Sequence, residues 1–339
     1  MEPARRRSVV DVVLQQPASA FSTGRAAREK ALDRLRLGDT IFRHLTRAAA
    51  VTVLLLLTGV IVSLFIGSLP AINKFGLNFL VSGQWDAVTD QFGALPAIYG
   101  TLVTSLIAML IAIPVGLMIA FFLTELCPMW LRRPIGIAVE LLAGIPSIIY
   151  GIWGLFIFAP VLQQTLQPFL IDTLGNVPII APLFEGPPFG IGLLTSGLIL
   201  AIMVLPFISS ISRDVFEAVP PVLKEAAYGV GCTTWEVFRY VILPHTRVGV
   251  IGGVMLALGR ALGETMAVTF VIGNAHRIPT SILAPGTTIS ATIANEFTEA
   301  VGRLYTSSLI ELGLILFVIT FIVLAIARYM LMRIERRIG

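Results

Sequence analysis

Arg260 and Glu264 carry opposite charges four positions apart in a stretch that is otherwise apolar. A charge at the centre of a bilayer costs about 2.5–3.5 kcal/mol on insertion scales, so intramembrane charges usually face a protein interior or a wet cavity. At this spacing the two side chains share one face of a helix and can pair. A guanidinium offers a permanent charge and a planar set of donors that suits an oxyanion. The pair therefore predicts an anion-binding position, with a purely structural ion pair as the alternative.

Two hydroxyl residues extend this candidate path, and two further acids lie in other apolar stretches. Ser147 follows a proline, and Thr265 follows Glu264 directly. Each hydroxyl could face a polar path or bond to its own helix backbone, and the sequence favours neither. Glu140 and Glu311 lie near the ends of predicted membrane segments. We expect their side chains to extend to the membrane surface.

A second group of residues, within 217–244, has the composition of a contact surface rather than of a reactive site. Its small residues would let a short helix pair fit a shallow groove on another protein, with Trp235 and Phe238 as anchors. A rigid helix pair can transmit a rigid-body movement, whereas an ordinary amphipathic loop, which is the alternative, cannot. The positions concerned are Glu225, Ala226, Ala227, Gly231, Trp235, Leu243 and Pro244.

The same stretch predicts two short helices joined by a turn. Pro220-Pro221 suits a helix start, because the first backbone N–H groups of a helix have no helical partner. Two glycines then end this first helix. Thr233 and Glu236 have the spacing of a capping box. They predict a second helix, which we expect to end before Pro244.

The composition of the whole chain places these residues in a membrane protein. Of 339 residues, 56% are apolar and 13% are charged, whereas about 25% are charged in soluble proteins. Crossing the hydrocarbon takes roughly 20 apolar residues per helix. The sequence therefore predicts an all-α integral membrane protein with six transmembrane helices. The six segments are 48–69, 95–123, 135–162, 191–211, 248–273 and 308–330.

The distribution of Lys and Arg predicts the orientation of these segments. With six crossings, twenty of the 24 basic residues fall on one side, and only Lys74, Arg277 and Arg303 fall on the other. Basic residues are enriched in cytoplasmic loops. Both termini and residues 217–244 are therefore predicted to be cytoplasmic. The basic, amphipathic pattern of 22–47 predicts a helix on the lipid surface, which also accounts for the basic N-terminus without any nucleic acid.

The sequence lacks the residues that several kinds of chemistry require. No P-loop of the form G-x-x-x-x-G-K-[ST] occurs, so ATP and its Mg²⁺ must be bound by another chain. The three histidines have no metal-ligand spacing, and no catalytic cluster is visible. Cys127 and Cys232 are predicted to be free thiols near cytoplasmic ends. We therefore expect no catalytic residue, no metal and no cofactor in this chain.

Longer motifs carry a family resemblance. Glu225-Ala226-Ala227, Gly231 and Leu243-Pro244 resemble the cytoplasmic EAA loop of ABC importer permeases, with Val241 where that motif has isoleucine. Residues 95–330 resemble the MetI-like permease core of type I ABC importers. Within that group the chain is similar to the PstC-type permeases of phosphate-specific transporters. The supporting stretches are residues 144–151 (GIPSIIYG), 259–265 (GRALGET) and 294–297 (ANEF).

The resemblance implies a function, an assembly and a domain plan. It implies inward transport of inorganic phosphate in a prokaryotic cell membrane, driven by ATP hydrolysis. The implied partners are a PstA-like permease, two PstB-like ATPase subunits and an extracytoplasmic PstS-like phosphate-binding protein. It also implies that Arg260 and Glu264, at matching positions, take part in transport. The domain plan is an N-terminal extension (1–47), a first helix and outer loop (48–94), a permease domain (95–330) with its coupling loop (217–244), and a tail (331–339).

Two other readings remain at this point. One is a permease for another oxyanion, such as sulfate or molybdate, which an arginine alone does not exclude. The other is an ion-driven secondary carrier, for which inverted repeats would be expected. We find no such repeats, and such a carrier has no need for an EAA loop.

Overall fold

The computed structural model describes residues 18–175, 177–178 and 180–335 of the chain. The stretch 1–17 and the end of the predicted tail lie outside the described residues. The chain divides into two compact units, 1–63 and 64–339. In the described part, helices account for nearly all regular structure, and the exception is an antiparallel bridge between Asp86 and Gln91.

The helices are numbered here in chain order. They are α1 (Ala18–Phe75), α2 (Asn78–Val81), α3 (Leu95–Phe121), α4 (Met129–Ala143), α5 (Ser147–Trp153), α6 (Ala159–Gln164), α7 (Leu166–Leu174), α8 (Ala181–Phe184), α9 (Leu193–Glu217), α10 (Pro221–Gly229), α11 (Thr234–Val237), α12 (Leu243–Leu262), α13 (Met266–Val271), α14 (Ile289–Glu296) and α15 (Arg303–Glu335). Two π-helical turns, Gly154–Phe158 and Phe238–Ile242, connect α-helices without a break in the helical path, and a third, Phe122–Leu126, continues α3 to its end before Cys127.

Six helical stretches within the described residues are long and apolar enough to cross a membrane, which confirms the predicted number. They are Gly38–Phe75, Leu95–Leu126, Ser147–Leu174, Leu193–Glu217, Thr234–Leu262 and Arg303–Arg333. The predicted surface helix and first span form one continuous helix, α1. Cys127 and Cys232 are free thiols, as predicted.

Two of the predicted spans are wrong in their bounds because a helix is interrupted inside each. The predicted span 135–162 breaks after Ala143, and α5 begins at Ser147. Pro146 disfavours helical geometry at the residue before it, and its own backbone is extended at φ −57° and ψ 137°. The predicted span 248–273 breaks after Leu262, and α13 begins only at Met266. The third and fifth membrane helices therefore occupy different residues from those predicted.

The core of residues 64–339 lies around α9, which packs against α3, α12 and α4. Small residues allow the close approach of α12. A Cβ on Gly249 would lie 2.6 Å from Val215 Cγ1, and one on Gly253 would lie 2.9 Å from Ile211 Cγ2. Close packing of small residues is the usual basis of helix association in membranes. Gly249 and Gly253 therefore form a close contact between α12 and α9.

Candidate functional site

Arg260 lies in the last turn of α12, and its side chain is exposed in the isolated chain. Its guanidinium lies over the ring of Phe207, with 4.8 Å between Cζ and the ring centroid. No ion pair joins Arg260 to Glu264 in the described part of the chain. The predicted pairing on one helix face is wrong because the helix ends at Leu262, before it reaches Glu264. The arginine therefore keeps its hydrogen-bond donors available.

The break after Leu262 is stabilised by its own polar side chains. Glu264 Oε1 accepts a hydrogen bond from the backbone N–H of Ala267 at 3.3 Å. The hydroxyl of Thr265 donates to the carbonyl of Gly263, also at 3.3 Å. Side chains that bond to nearby backbone compete with helix formation. Glu264 and Thr265 thus form the interruption rather than a helix face.

The two interruptions lie beside each other because α5 packs against α13. A Cβ on Gly151 would lie 3.0 Å from the carbonyl oxygen of Met266 and 3.2 Å from the Cα of Ala267. Ser147, half-buried, begins the interrupted helix one turn before Gly151. The fold therefore brings Ser147, Glu264 and Thr265 into the same region of the chain, next to the end of α12.

The segment 217–244 folds as two helices joined by a turn, as predicted. The first is α10, and Gly231 follows it at φ +93°, a conformation that favours glycine. Thr233 caps α11: its hydroxyl accepts from the backbone N–H of Glu236, while the Glu236 carboxylate accepts from the backbone N–H of Thr233. The predicted capping box is therefore confirmed.

The predicted end of the second helix before Pro244 is wrong. The π turn Phe238–Ile242 connects α11 directly to α12, with Pro244 at the start of α12. Proline is tolerated in the first turn of a helix, where its missing N–H removes no bond. As a result, one helical stretch, Thr234–Leu262, contains both the end of the segment and the fifth membrane span.

Aromatic packing fixes this segment to its own chain. Phe238 is 4% exposed, and its ring centroid lies 4.4 Å from that of Phe121 and 5.5 Å from that of Phe216. Lys224 Nζ lies 2.7 Å from Glu125 Oε1 at the end of the second membrane span. Phe238 is thus an internal anchor, so its predicted role as an anchor for another protein is wrong. Trp235 packs edge-on against Phe121 and stays 48% exposed.

The opposite side of the segment is open. Glu225 and Ala226 are exposed, and Ala227 is half-buried against the aromatic cluster. Several large apolar side chains surround them without cover, which marks a contact surface more often than a free one. We call this set the coupling face: Val222, Leu223, Tyr228, Val230, Trp235 and Tyr240.

The two acidic residues outside the fifth span have different surroundings. Glu140 Oε1 lies 2.6 Å from Arg213 Nη2 and joins α4 to α9, while 47% of the Glu140 side chain stays exposed. Glu311 is only 6% exposed, and among the described residues its Oε2 has no hydrogen-bond partner. The prediction for Glu311 is wrong, because the exposure of its side chain depends on helix packing that the end of a segment does not reveal.

A polar cluster that the sequence did not predict surrounds Glu296. Its Oε2 accepts hydrogen bonds from Trp85 Nε1 and the Tyr305 hydroxyl, each at 2.7 Å, and His276 Nε2 lies 2.7 Å from Oε1. Burial by itself would raise the pKa of Glu296. The hydrogen bond and charge of His276, with the bonds from Tyr305 and Trp85, outweigh burial and hold that pKa below its usual value. Trp85 lies 211 residues from Glu296 in the chain, so no sequence spacing could indicate the contact.

Comparison with known proteins identifies the family to which the chain is similar. Residues 112–336 match the family described as the binding-protein-dependent transport system inner membrane component. The chain is 69% identical over 320 residues to the phosphate transport system permease protein PstC of Mesorhizobium japonicum, covering 94% of this chain and 98% of that protein. It is 56% identical to the PstC of Haemophilus influenzae, covering 89% and 95%.

A solved structure agrees with these sequence matches at the level of the fold. A bacterial alginate ABC transporter, in complex with an alginate-bound periplasmic protein, contains a chain that matches with a TM-score of 0.54. The identity is 19%, and the match covers 80% of this chain and 88% of that one. This likeness supports the fold alone. The chain belongs to the family of binding-protein-dependent transport system inner membrane components, the multi-pass membrane permeases of ABC transporters, and within it to the PstC permeases.

Proposed function

We propose that this chain is the permease subunit of an ATP-driven importer of inorganic phosphate and forms half of the translocation path. The observation that carries the proposal is Arg260, an exposed guanidinium at the end of a membrane helix, without a carboxylate partner among the described residues. A charge in that position is costly unless it faces water or an anion. The names of the relatives, which are phosphate transport permeases, favour phosphate as that anion.

The interrupted helices support an anion path next to Arg260. At Ser147 the first backbone N–H groups of a helix have no helical partner, and this end of a helix carries partial positive charge. That helix continues through a π turn and α6 without a gap. Membrane transporters commonly place substrate at such interruptions, where irregular backbone faces a cavity. In this proposal Arg260 holds the phosphate charge, and Ser147 and Thr265 supply hydroxyl and backbone contacts.

Glu264 has a positioning role in the proposed path. Its carboxylate bonds to the backbone of Ala267 and thereby stabilises the interruption in the fifth span. A carboxylate beside a phosphate would repel it at bonding distance. Because Glu264 is turned to the backbone, the negative charge is not paired with Arg260.

The coupling face supports mechanical drive by a separate ATPase. It is apolar and exposed, and it stands on a segment that is anchored from behind by Phe238 and by the pair Lys224–Glu125. We propose that the face docks on one of two PstB-like ATPase subunits. We also propose a PstA-like permease for the other half of the path and a PstS-like protein that delivers phosphate. The termini and the coupling face are placed in the cytoplasm on the distribution of Lys and Arg.

In the proposed cycle, ATP-driven closure of the ATPase subunits presses the coupling faces of the two permeases together. The stretch Thr234–Leu262 moves as one body, since no loop separates its two ends. The permease then opens outward and receives phosphate from the binding protein. Hydrolysis of ATP returns it to the inward-open state.

Uptake by vesicles that contain this chain with its candidate partners tests the proposal. We expect ATP-dependent accumulation of labelled phosphate that excess sulfate or molybdate does not compete away. Competition by either anion at equal concentration would instead favour a general oxyanion permease. Uptake that follows an ion gradient without ATP would favour a secondary carrier.

The substitution Arg260→Gln tests the path itself. Loss of this fixed charge should reduce uptake by at least about a hundredfold, because charge-assisted bonds contribute about 1.5–3 kcal/mol each and a guanidinium can form two with one oxyanion. The matched control is Arg328→Gln, at an exposed arginine of α15, which should leave uptake unchanged. If the Arg260→Gln complex falls apart during purification, the arginine is structural and the proposed path is refuted.

A further inference from the structure

The cluster around Glu296 joins three separate parts of the chain. Besides its bonds to Glu296, Trp85 stacks on His276, with 5.3 Å between ring centroids and an interplanar angle of 11°. Phe92 packs edge-on against Trp85 and stacks on Tyr305, each at 5.0 Å. Segment 82–94, the loop after α13 and the start of α15 are therefore held together at one carboxylate. Bonds to an ionised group are roughly twice as strong as neutral ones.

The segment that carries Trp85 is also ordered internally. Asp86 pairs with Gln91 through two backbone hydrogen bonds of 2.8 and 3.1 Å. The Asp86 carboxylate accepts from the backbone N–H of Val88 at 2.9 Å and from the hydroxyl of Thr89 at 2.7 Å. Lys74 Nζ donates to the carbonyl of Asp90 at 3.1 Å. The turn therefore presents its tip in a fixed conformation.

Apolar side chains on this ordered region are uncovered. Val88, at the tip of the turn, is 93% exposed, and Phe297, next to Glu296, is 50% exposed. Val301 is 90% exposed. A cleft of about 460 Å³ opens beside Trp85 and His276, and its other walls are polar or glycine. Exposed apolar residues around a polar cleft are typical of a protein contact surface.

We propose that Glu296 is a positioning residue that fixes segment 82–94 and residues 296–301 as the docking surface for the soluble binding protein. The inference rests on the proposed function, in which these residues lie on the outer side of the membrane. The family is described as binding-protein-dependent, and the binding protein is the soluble partner that the proposed assembly has on that side. The apolar tips provide the contact, and Glu296 keeps them in one arrangement so that the partner binds a preformed surface.

The substitution Glu296→Gln, in the complete reconstituted transporter, tests the inference. The amide keeps the shape of the carboxylate but loses its charge and presents N–H groups to donors. We expect the concentration of phosphate-loaded binding protein that gives half-maximal ATPase stimulation to rise about tenfold. The maximal stimulated rate should change far less. The variants Trp85→Phe and Tyr305→Phe each remove one donor and should show smaller shifts in the same direction.

The matched control is Glu185→Gln, which removes the same charge from an exposed residue outside segment 82–94 and residues 296–301. It should leave the dose-response curve unchanged. Hydrogen–deuterium exchange of residues 82–94, measured without phosphate or binding protein, should rise in Glu296→Gln and not in the control. This measurement follows the cluster itself and does not depend on which substrate is transported.

Three outcomes would overturn the inference. Faster exchange with an unchanged dose-response curve would show that the ordered region is not the docking surface. Unchanged exchange would show that Glu296 does not fix the segment. An equal loss of stimulated and unstimulated ATPase activity would show a general structural role. Failure of the unmodified transporter to take up phosphate would refute the proposed function instead, and the exchange result would stand.

Discussion

Substitutions at Phe238 should show how much the internal packing behind the coupling face contributes to stability, separately from the exposed side chains of that face. Phe238 is 4% exposed and contacts the rings of Phe121, Phe216 and Trp235. Truncation of a buried phenylalanine to alanine costs about 3–5 kcal/mol, because the lost transfer energy adds to the cost of the cavity. Loss of the aromatic pair with Phe121, at 4.4 Å, accounts for about 0.5–1.5 kcal/mol of such a cost.

Trp235 provides the contrast within the same cluster. It is 48% exposed, so Trp235→Ala removes only about half of the buried area that a fully buried tryptophan would lose, and we expect a destabilisation of about 1.5–2.5 kcal/mol. In the purified complex we therefore expect the unmodified protein to have the highest apparent melting temperature and Phe238→Ala the lowest, with Trp235→Ala and Phe238→Leu between them. The effect on coupling does not follow the effect on stability. Trp235→Ala should lower the amount of phosphate transported per ATP hydrolysed, because it removes part of the exposed coupling face.

The assay combines thermal stability with the ratio of uptake to ATP hydrolysis in vesicles. An equal loss of stability in Phe238→Ala and Trp235→Ala would refute the packing argument. A stable Trp235→Ala complex with an unchanged ratio would refute the role of the exposed ring. Phe238→Leu keeps most of the apolar volume, so it still allows the measurement if Phe238→Ala does not fold.

Other predictions concern the coupling segment and the Glu296 cluster. Gly231→Leu should strain the backbone by about 1 kcal/mol at its positive φ. Gly231→Leu and Glu225→Lys should each lower the coupling of ATP hydrolysis to uptake, while both proteins still insert into the membrane. Normal phosphate uptake by both variants would exclude docking at this segment. Since the folded-state pKa of Glu296 lies below its usual value of 4.5, its contribution to stability is present above pH 4.5 and is lost as pH falls through the folded pKa. The protection of residues 82–94, expressed relative to the intrinsic exchange rate at each pH, should therefore fall below about pH 4.5 in the unmodified protein, and protection that stays constant would contradict the assignment.

Hydrophobic patterning predicted the number of membrane helices, and local rules predicted the capping box at Thr233. Patterning failed at residues 263–265 because Gly263, Glu264 and Thr265 interrupt the backbone without ending the apolar run. The prediction of a helix end before Pro244 is wrong because the preceding π turn continues directly into α12, with Pro244 in the first turn of α12. Helix packing determines whether the Phe238 side chain lies inside the chain or at its surface. The composition of the segment does not reveal this, so the prediction that Phe238 anchors another protein is wrong.

The site was predictable in its residue types but not in its contacts. Arg260 is identifiable as a membrane cation from sequence alone, whereas its contact with Phe207 depends on how α12 packs against α9. The bonds from Trp85 to Glu296 join residues in distant loops, and neither residue belongs to a local motif that specifies the other.

The uninterrupted stretch Thr234–Leu262 has a mechanical consequence. It packs closely on α9 at Gly249 and Gly253, and a rigid helix that tilts about that point moves its two ends in opposite directions. At about 1.5 Å per residue, Trp235 lies roughly 24 Å from this pivot and Arg260 roughly 14 Å on the other side. A sideways push on the tryptophan end would thus shift the guanidinium in the opposite direction by a little over half as much. The end that carries Arg260 would therefore move a shorter distance than the end that carries Trp235, with a correspondingly larger force.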